Sequence, residues 1–229
     1  MAVKNRINLF TCIITMALTL TLVTSCKTES PGLPESFDYG KVENGVYTND
    51  YFKMRVPFDT SWDVQSEEER KEISEYGKEL VEDEDLKRAI DASSINNASL
   101  FTAYQYELGS TLGYNPSISI IAENVSQHPQ VKHGQDYLKE AQKIMEQMQM
   151  DYTFNYLDAP KTIGNHSFDM MNVDVDYLGS EFHQQYMATI TKGFCLLLVI
   201  SYDTDEQREE LEAMVNRIVF TEGQSKKKS

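Results

Sequence analysis

The chain has 229 residues, with 36 acidic and 21 basic side chains, a formal net charge of -15 and 41% hydrophobic residues. A surface this acidic repels nucleic acid, which sets aside a polynucleotide partner and leaves cations, basic partners or simple solubility. Three cysteines, Cys12, Cys26 and Cys195, are too few for a disulfide framework.

The first six residues carry Lys4 and Arg6 and no acid, and an apolar run from Ile7 to Val23 follows. This is the layout of a secretory leader. The run ends in Leu22-Val23-Thr24-Ser25-Cys26 and not in a basic stop-transfer flank. That pentapeptide resembles the lipobox of bacterial lipoproteins, an aliphatic residue and small residues before a cysteine. The resemblance implies a signal peptide over residues 1–25, cleavage before Cys26, and a thioether from the Cys26 thiol to diacylglycerol, with further acylation such as palmitate. Several acyl chains hold a protein on a bilayer where one is marginal. The expected location is therefore extracytoplasmic, on the cell membrane or on an outer membrane.

Residues 26–45 are rich in Pro, Gly, Ser and charge and lack periodicity, which predicts a flexible tether. Residues 46–220 suffice for a single domain, and 221–229, with Lys226-Lys227-Lys228, read as a disordered basic tail. Losing Lys4 and Arg6 with the leader leaves 19 basic residues against 36 acids, a formal charge of -17.

Within the domain, Tyr47 to Val56 reads as a hairpin turning at Asn49-Asp50, with Phe52, Met54 and Val56 alternating with polar residues. Trp62 and Val64 are core-edge anchors. Ser66 before Glu67, Glu68 and Glu69 is an N-cap signal for a helix to about Val81, and a second short helix is expected over Glu84 to Ala92. Leu100–Glu107 and Ser117–Val125 read as strands. Gln135–Met150 has Tyr137, Leu138, Ala141, Ile144, Met145 and Met148 at three- and four-residue spacing, an apolar helical stripe. Strands follow over Asp151–Leu157, Ser167–Tyr177, Gln184–Thr191 and Phe194–Tyr202, the last two joined by a Lys192-Gly193 turn. Thr204 caps a closing helix to Arg217, with Leu211, Met214, Val215 and Ile218 inward. Helices after strands, with hairpin signals, predict an α+β domain with a mainly antiparallel sheet.

This order of elements, with Tyr51-Phe52, Pro57 and Trp62 near its start and Ile218-Val219-Phe220 at its close, resembles the PsbP-like family. That family includes an extrinsic photosystem II subunit, a Ran-binding transport factor and many bacterial lipoproteins. The resemblance implies an α/β/α sandwich serving as an assembly or interaction domain, with no shared catalytic residues to carry over.

Catalytic chemistry has thin support. No Gly-x-Ser-x-Gly elbow, Gly-x-Gly-x-x-Gly fingerprint or Walker loop occurs. His128 and His133 are five apart across Pro129-Gln130-Val131-Lys132, a spacing that suits neither a helical face nor a usual metal pair. Cys195 sits within Phe194-Cys195-Leu196-Leu197, the setting of a small buried hydrophobe and not of a nucleophile. Asp169, Asp174 and Asp176 lie close in sequence, the last two on one face of a strand, and Asp174 and Asp176 with a histidine furnish a metal-dependent hydrolase as the rival reading. Tyr104, Tyr106 and Tyr114 offer aromatic surface, although strand aromatics more often belong to a core. The expectation is a lipid-anchored, non-enzymatic binding or assembly module without catalytic residues, metal or cofactor. Its partners are the membrane through Cys26 and an envelope protein or small ligand, with no nucleic acid.

Overall fold

The computed structural model describes residues 32–70, 72, 96–148, 150–177 and 179–221. The helices expected from about residue 70 to Ala92 fall almost wholly outside these residues, as does Cys26. What is described of the first helix begins as read: Ser66 Oγ accepts from Glu69 N at 3.2 Å, while Ser66 N donates to Glu69 Oε2 at 2.7 Å. The two bonds form a capping box.

Among the described residues, twelve strands form two sheets. The smaller contains β1 (Lys41–Glu43), β2 (Val46–Asn49), β3 (Met54–Pro57) and β12 (Val219–Phe220), in that order. The larger runs β4 (Asp63–Val64), β5 (Asn97–Tyr104), β6 (Ser117–Asn124), β11 (Phe194–Tyr202), β10 (Ser180–Thr191), β9 (His166–Tyr177), β7 (Asp151–Tyr156). A short β8 (Lys161–Ile163) extends the β7 side of β9. All pairings are antiparallel.

All nine residues of β11 are buried, so the strand is covered on both faces. Leu196, Leu198 and Ile200 enter one apolar layer with Ile118, Ile120, Met187 and the small sheet's Tyr47, Met54 and Val56. Helix α2 (Asp205–Asn216) closes that layer with Leu211, Met214 and Val215. Cys195, Leu197 and Val199 point the other way, into a second layer under helix α1 (Gly134–Met145), whose Tyr137, Leu138, Ala141 and Met145 are buried there. The protein is thus the α+β sandwich around a central antiparallel sheet that the sequence predicts. The small sheet is an added layer on the α2 side.

Gly134 sets the seat of α1. A Cβ built there would lie 2.0 Å from the Ala188 carbonyl oxygen, so the first helical turn rests directly on β10 and admits no side chain. The helix is shorter than the expected Gln135–Met150. After Met145 the amides of Gln147 and Met148 bond to the carbonyls of Ile144 and Met145, tight turns that release the chain into β7. Strand β5 begins three residues before the expected Leu100 because Asn97 already pairs with Glu123. A bulge between Ser99 and Phe101 places Leu100 and Phe101 in the same apolar layer, which breaks the two-residue period.

The described part of the expected tether is folded. Asn44 and Gly45, at φ 50° and 74°, form the two-residue turn between β1 and β2. Ahead of β1, Leu33 and Phe37 pack on the core, with the Phe37 ring 5.4 Å from Phe194 and 5.0 Å from Tyr51. Asp38 accepts from the backbone amides of Gly40 and Asp50, and Asn124 Nδ2 donates to Gly32 O at 2.8 Å. The folded unit therefore includes Gly32–Gly45, because the turn pair and two apolar anchors outweigh the Pro- and Ser-rich composition around them.

If this arm is integral to the domain, Phe37→Ala should lower the unfolding free energy by about 2 kcal/mol, less than a fully buried Phe→Ala change. Denaturant titration followed by Trp62 fluorescence measures this. An unchanged midpoint would mean that the arm is only a tether.

Candidate functional site

Alternation along β9 and β10 sends Asn172, Asp174 and Asp176 to the face shared with α2 and the small sheet, together with His183 and Gln185. Register brings three rows across neighbouring strands. Asp151, Asp176 and Glu181 align at the edge; Thr153, Asp174, His183 and Tyr202 come next; Asn155, Asn172 and Gln185 follow. The apolar layer reaches these rows only from β11, through Ile200 and Tyr202, and leaves Asp151, Asp174, Asp176 and Glu181 exposed.

Two of the hydrolase residues meet here. His183 Nδ1 lies 2.7 Å from Asp174 Oδ1, and the His183 ring packs 5.6 Å from Tyr202. The pair is wet, with the side chains 33% and 52% exposed, so its Coulomb energy is screened and small. Asp176 instead accepts from Gly179 N at 3.2 Å, in the turn into β10. Asp169 is separated from both: it accepts from Gln135 N at 2.9 Å and secures the start of α1. Among the described residues, no three His, Cys, Asp or Glu side chains come together as a metal-ion set.

The other histidines serve elsewhere. His133 caps α1, where its amide and that of Lys132 each donate to Asp136 Oδ2 at 3.0 Å. His128 lies half-buried between β6 and α1, and burial holds its imidazole below the ordinary 6.5. His166 packs 4.3 Å from Phe220; burial first, and then the charge of Lys192, lower its proton affinity too. Cys195 is buried opposite Glu123, and desolvation pushes its thiol well above the usual range, the reverse of what a nucleophile requires.

Polar groups that the sequence reading passed over are buried beneath the helix face. Tyr137 OH donates to Glu123 Oε2 at 2.7 Å, Tyr186 OH to Gln184 Oε1 at 2.6 Å, and Gln184 Nε2 to Ser201 Oγ at 3.3 Å. Tyr114, stacked on Phe182, hydrogen-bonds Ser201, and Tyr104 is buried. Of the three tyrosines weighed as partner surface, Tyr104 belongs to the core and Tyr114 seals its rim. Gln184-Gln185 next to the apolar Tyr186-Met187-Ala188 of β10 was the visible sign of this network. On the α2 side, Glu210 accepts from Trp62 Nε1 at 3.3 Å and Gln105 Nε2 at 3.0 Å, tying the helix to the sheet edge.

The opposite end of the sheet gathers the chain's entry and exit. Gly32 is held by Asn124 at the end of β6, and Thr221 N donates to Lys53 O at 2.8 Å at the end of β12. Lys192, in the β10–β11 turn, donates to the Tyr51 carbonyl, and its ammonium lies 5.3 Å from the Tyr51 ring centre. No helix among the described residues is long and apolar enough to cross a membrane.

The two perturbed histidines set an acid sensitivity. Their neutral forms are favoured in the folded state, so stability is full above 6.5 and is lost as pH falls below it, where the unfolded chain takes up protons more readily. His166→Gln should flatten the fall of the unfolding midpoint between pH 6.5 and more acid conditions relative to wild type. Parallel curves for the two proteins would contradict this.

No family model matches the chain, and no curated protein matches it. Among solved structures it is similar to cyanobacterial PsbP (CyanoP) of Synechocystis sp. PCC 6803, with a TM-score of 0.43 and 8% identity over 80% of this chain and 96% of that one. It is also similar to LpqN, involved in cell envelope biogenesis of Mycobacterium tuberculosis, with a TM-score of 0.40 and 9% identity over 74% of this chain and 83% of that one. A third likeness is to PA94 of Pseudomonas aeruginosa, a protein of unknown function, with a TM-score of 0.38 and 13% identity over 50% of this chain and 78% of that one. At such scores and identities none of them brings an activity or a residue's role to this chain.

Proposed function

We propose that the protein is an extracytoplasmic lipoprotein, anchored through lipid on Cys26, whose PsbP-like sandwich acts as a non-enzymatic binding or assembly module. The observation that carries this reading is the short path from anchor to fold. The lipobox-like Leu22–Cys26 is separated by only five residues from Gly32, which is already fixed to Asn124. Such an arrangement suits a domain held at a surface more than one released into solution.

The metal-dependent hydrolase reading has less support. It requires Asp174, Asp176 and a histidine around one point, whereas Asp174 and His183 form an exposed cross-strand pair and Asp176 serves a turn. Residues of this kind on an open sheet face suit recognition of a basic or polar partner surface. Aligned carboxylates on adjacent strands repel one another, a modest cost that a bound cationic group would relieve.

Metabolic labelling with an alkyne fatty acid tests the anchor in whole cells. Wild-type protein should carry label and stay with membranes, and Cys26→Ala should lose both. An unlabelled wild type released into the medium would overturn the reading.

A further inference from the structure

Strand β7 ends the large sheet on one side, and its outer edge carries backbone groups without partners. Leu157 N donates to Met170 O at 3.1 Å, which in the antiparallel register makes Asp151, Thr153 and Asn155 the β7 residues that exchange bonds with β9. Tyr152, Phe154 and Tyr156 alternate with them, so their N–H and C=O groups point away from the sheet. Nothing among the described residues bonds to these three amides and three carbonyls. Sheet edges are normally blunted by lysine, proline, a bulge or a covering element. Asp151–Tyr156 is six residues long, in unbroken register, with neither Lys nor Pro. The strands that end the other paths, β1, β4 and β12, have only two or three residues each.

The two faces of β7 define what fits beside it. Toward α1, Tyr152, Phe154 and Tyr156 form a half-buried row, the first two rings stacked at 5.7 Å. On the opposite face Asp151, Thr153 and Asn155 are exposed. Asp151 is the outermost of three aligned carboxylates, with Asp176 and Glu181 behind it, so a strand laid along β7 places its next side chain at the end of that row. A cation there offsets the repulsion among the acids, and apolar residues on the other face extend the aromatic row. A second copy of the chain fits less well. It brings together two molecules of formal charge -17, and antiparallel pairing of β7 with itself turns the two Gly32 ends in opposite directions. Six residue steps from Cys26 to Gly32 allow each end only about 20 Å from its bilayer.

Deepening the assembly-module reading given above, we propose that the free edge of β7 takes up an extended segment of a partner protein as an added antiparallel strand. The segment carries apolar residues at alternate positions toward α1 and a lysine or arginine beside Asp151. Backbone bonds to Tyr152, Phe154 and Tyr156 supply the affinity, and the aromatic row and Asp151 supply the choice of partner.

The test uses the full chain in neutral detergent and a fluorescein-labelled, amidated peptide, Val-Thr-Val-Thr-Val-Lys, whose lysine meets Asp151 in the antiparallel register; a second peptide ends in Glu. By anisotropy the wild type should bind the Lys peptide several-fold more tightly than the Glu peptide. Asp151→Lys, a change at an exposed position, should reverse that preference. By NMR, hydrogen exchange at the amides of Tyr152, Phe154 and Tyr156 should slow several-fold when the Lys peptide binds. Failure of both peptides to bind, equal affinity for the two, or binding that leaves these amides exchanging freely would overturn the proposal. A dimer that protects the same amides without peptide would overturn it in favour of a second copy. Binding of the Lys peptide by a chain without lipid on Cys26 would remove the anchor and leave the strand-addition site standing.

Discussion

Everything in this fold depends on β11 being buried on both faces. A strand reading Phe194-Cys195-Leu196-Leu197-Leu198-Val199-Ile200-Ser201-Tyr202 has no wet side, so the sheet through it requires a cover above and below. Helix α1 supplies one cover, seated on β10 through Gly134, and α2 with the small sheet supplies the other. Full burial of a Leu or Val side chain contributes about 2 kcal/mol, so the residues of this one strand outweigh all the exposed ion pairs together. The apolar layer on the α2 side runs out toward β7 and the distal ends of β9 and β10, and there that face of the sheet turns polar and open, while Val175, Phe182 and the β7 aromatics continue the layer under α1.

The N-terminal arm is fastened to the centre of the fold. Phe37 packs among Tyr51, Phe52 and Phe194, and Asp38 and Asn124 fasten the backbone on either side of it. These contacts join the place where the chain enters to the β10–β11 turn at the root of the central hairpin. A pull or constraint applied at residue 32 is thus transmitted to the most buried strands and not absorbed by loose chain.

The legibility of the sequence followed the strength of local signals. Lys192-Gly193, the Thr204 cap and the apolar stripe of Tyr137, Leu138 and Ala141 each combine a turn or cap with a clear period, and each corresponds to an observed element. The small sheet was harder: β1 has three residues and β12 two, too short for periodicity to register. Asn44-Gly45 was nevertheless a readable hairpin turn, hidden by the polar composition around it. The Leu100 bulge hid the start of β5 because it puts two consecutive residues on one side. At the candidate site, the shared face of Asp174 and Asp176 follows from strand alternation. That His183 stands opposite Asp174 depends on the β9–β10 register, which belongs to the tertiary fold.

Mass spectrometry of the N-terminal peptide from the membrane-associated protein most directly tests the central claim, a folded sandwich held close to a bilayer through Cys26. The account predicts a peptide that begins at Cys26 and carries the mass of diacylglycerol. A peptide beginning upstream of residue 26, or an unmodified Cys26, would contradict it.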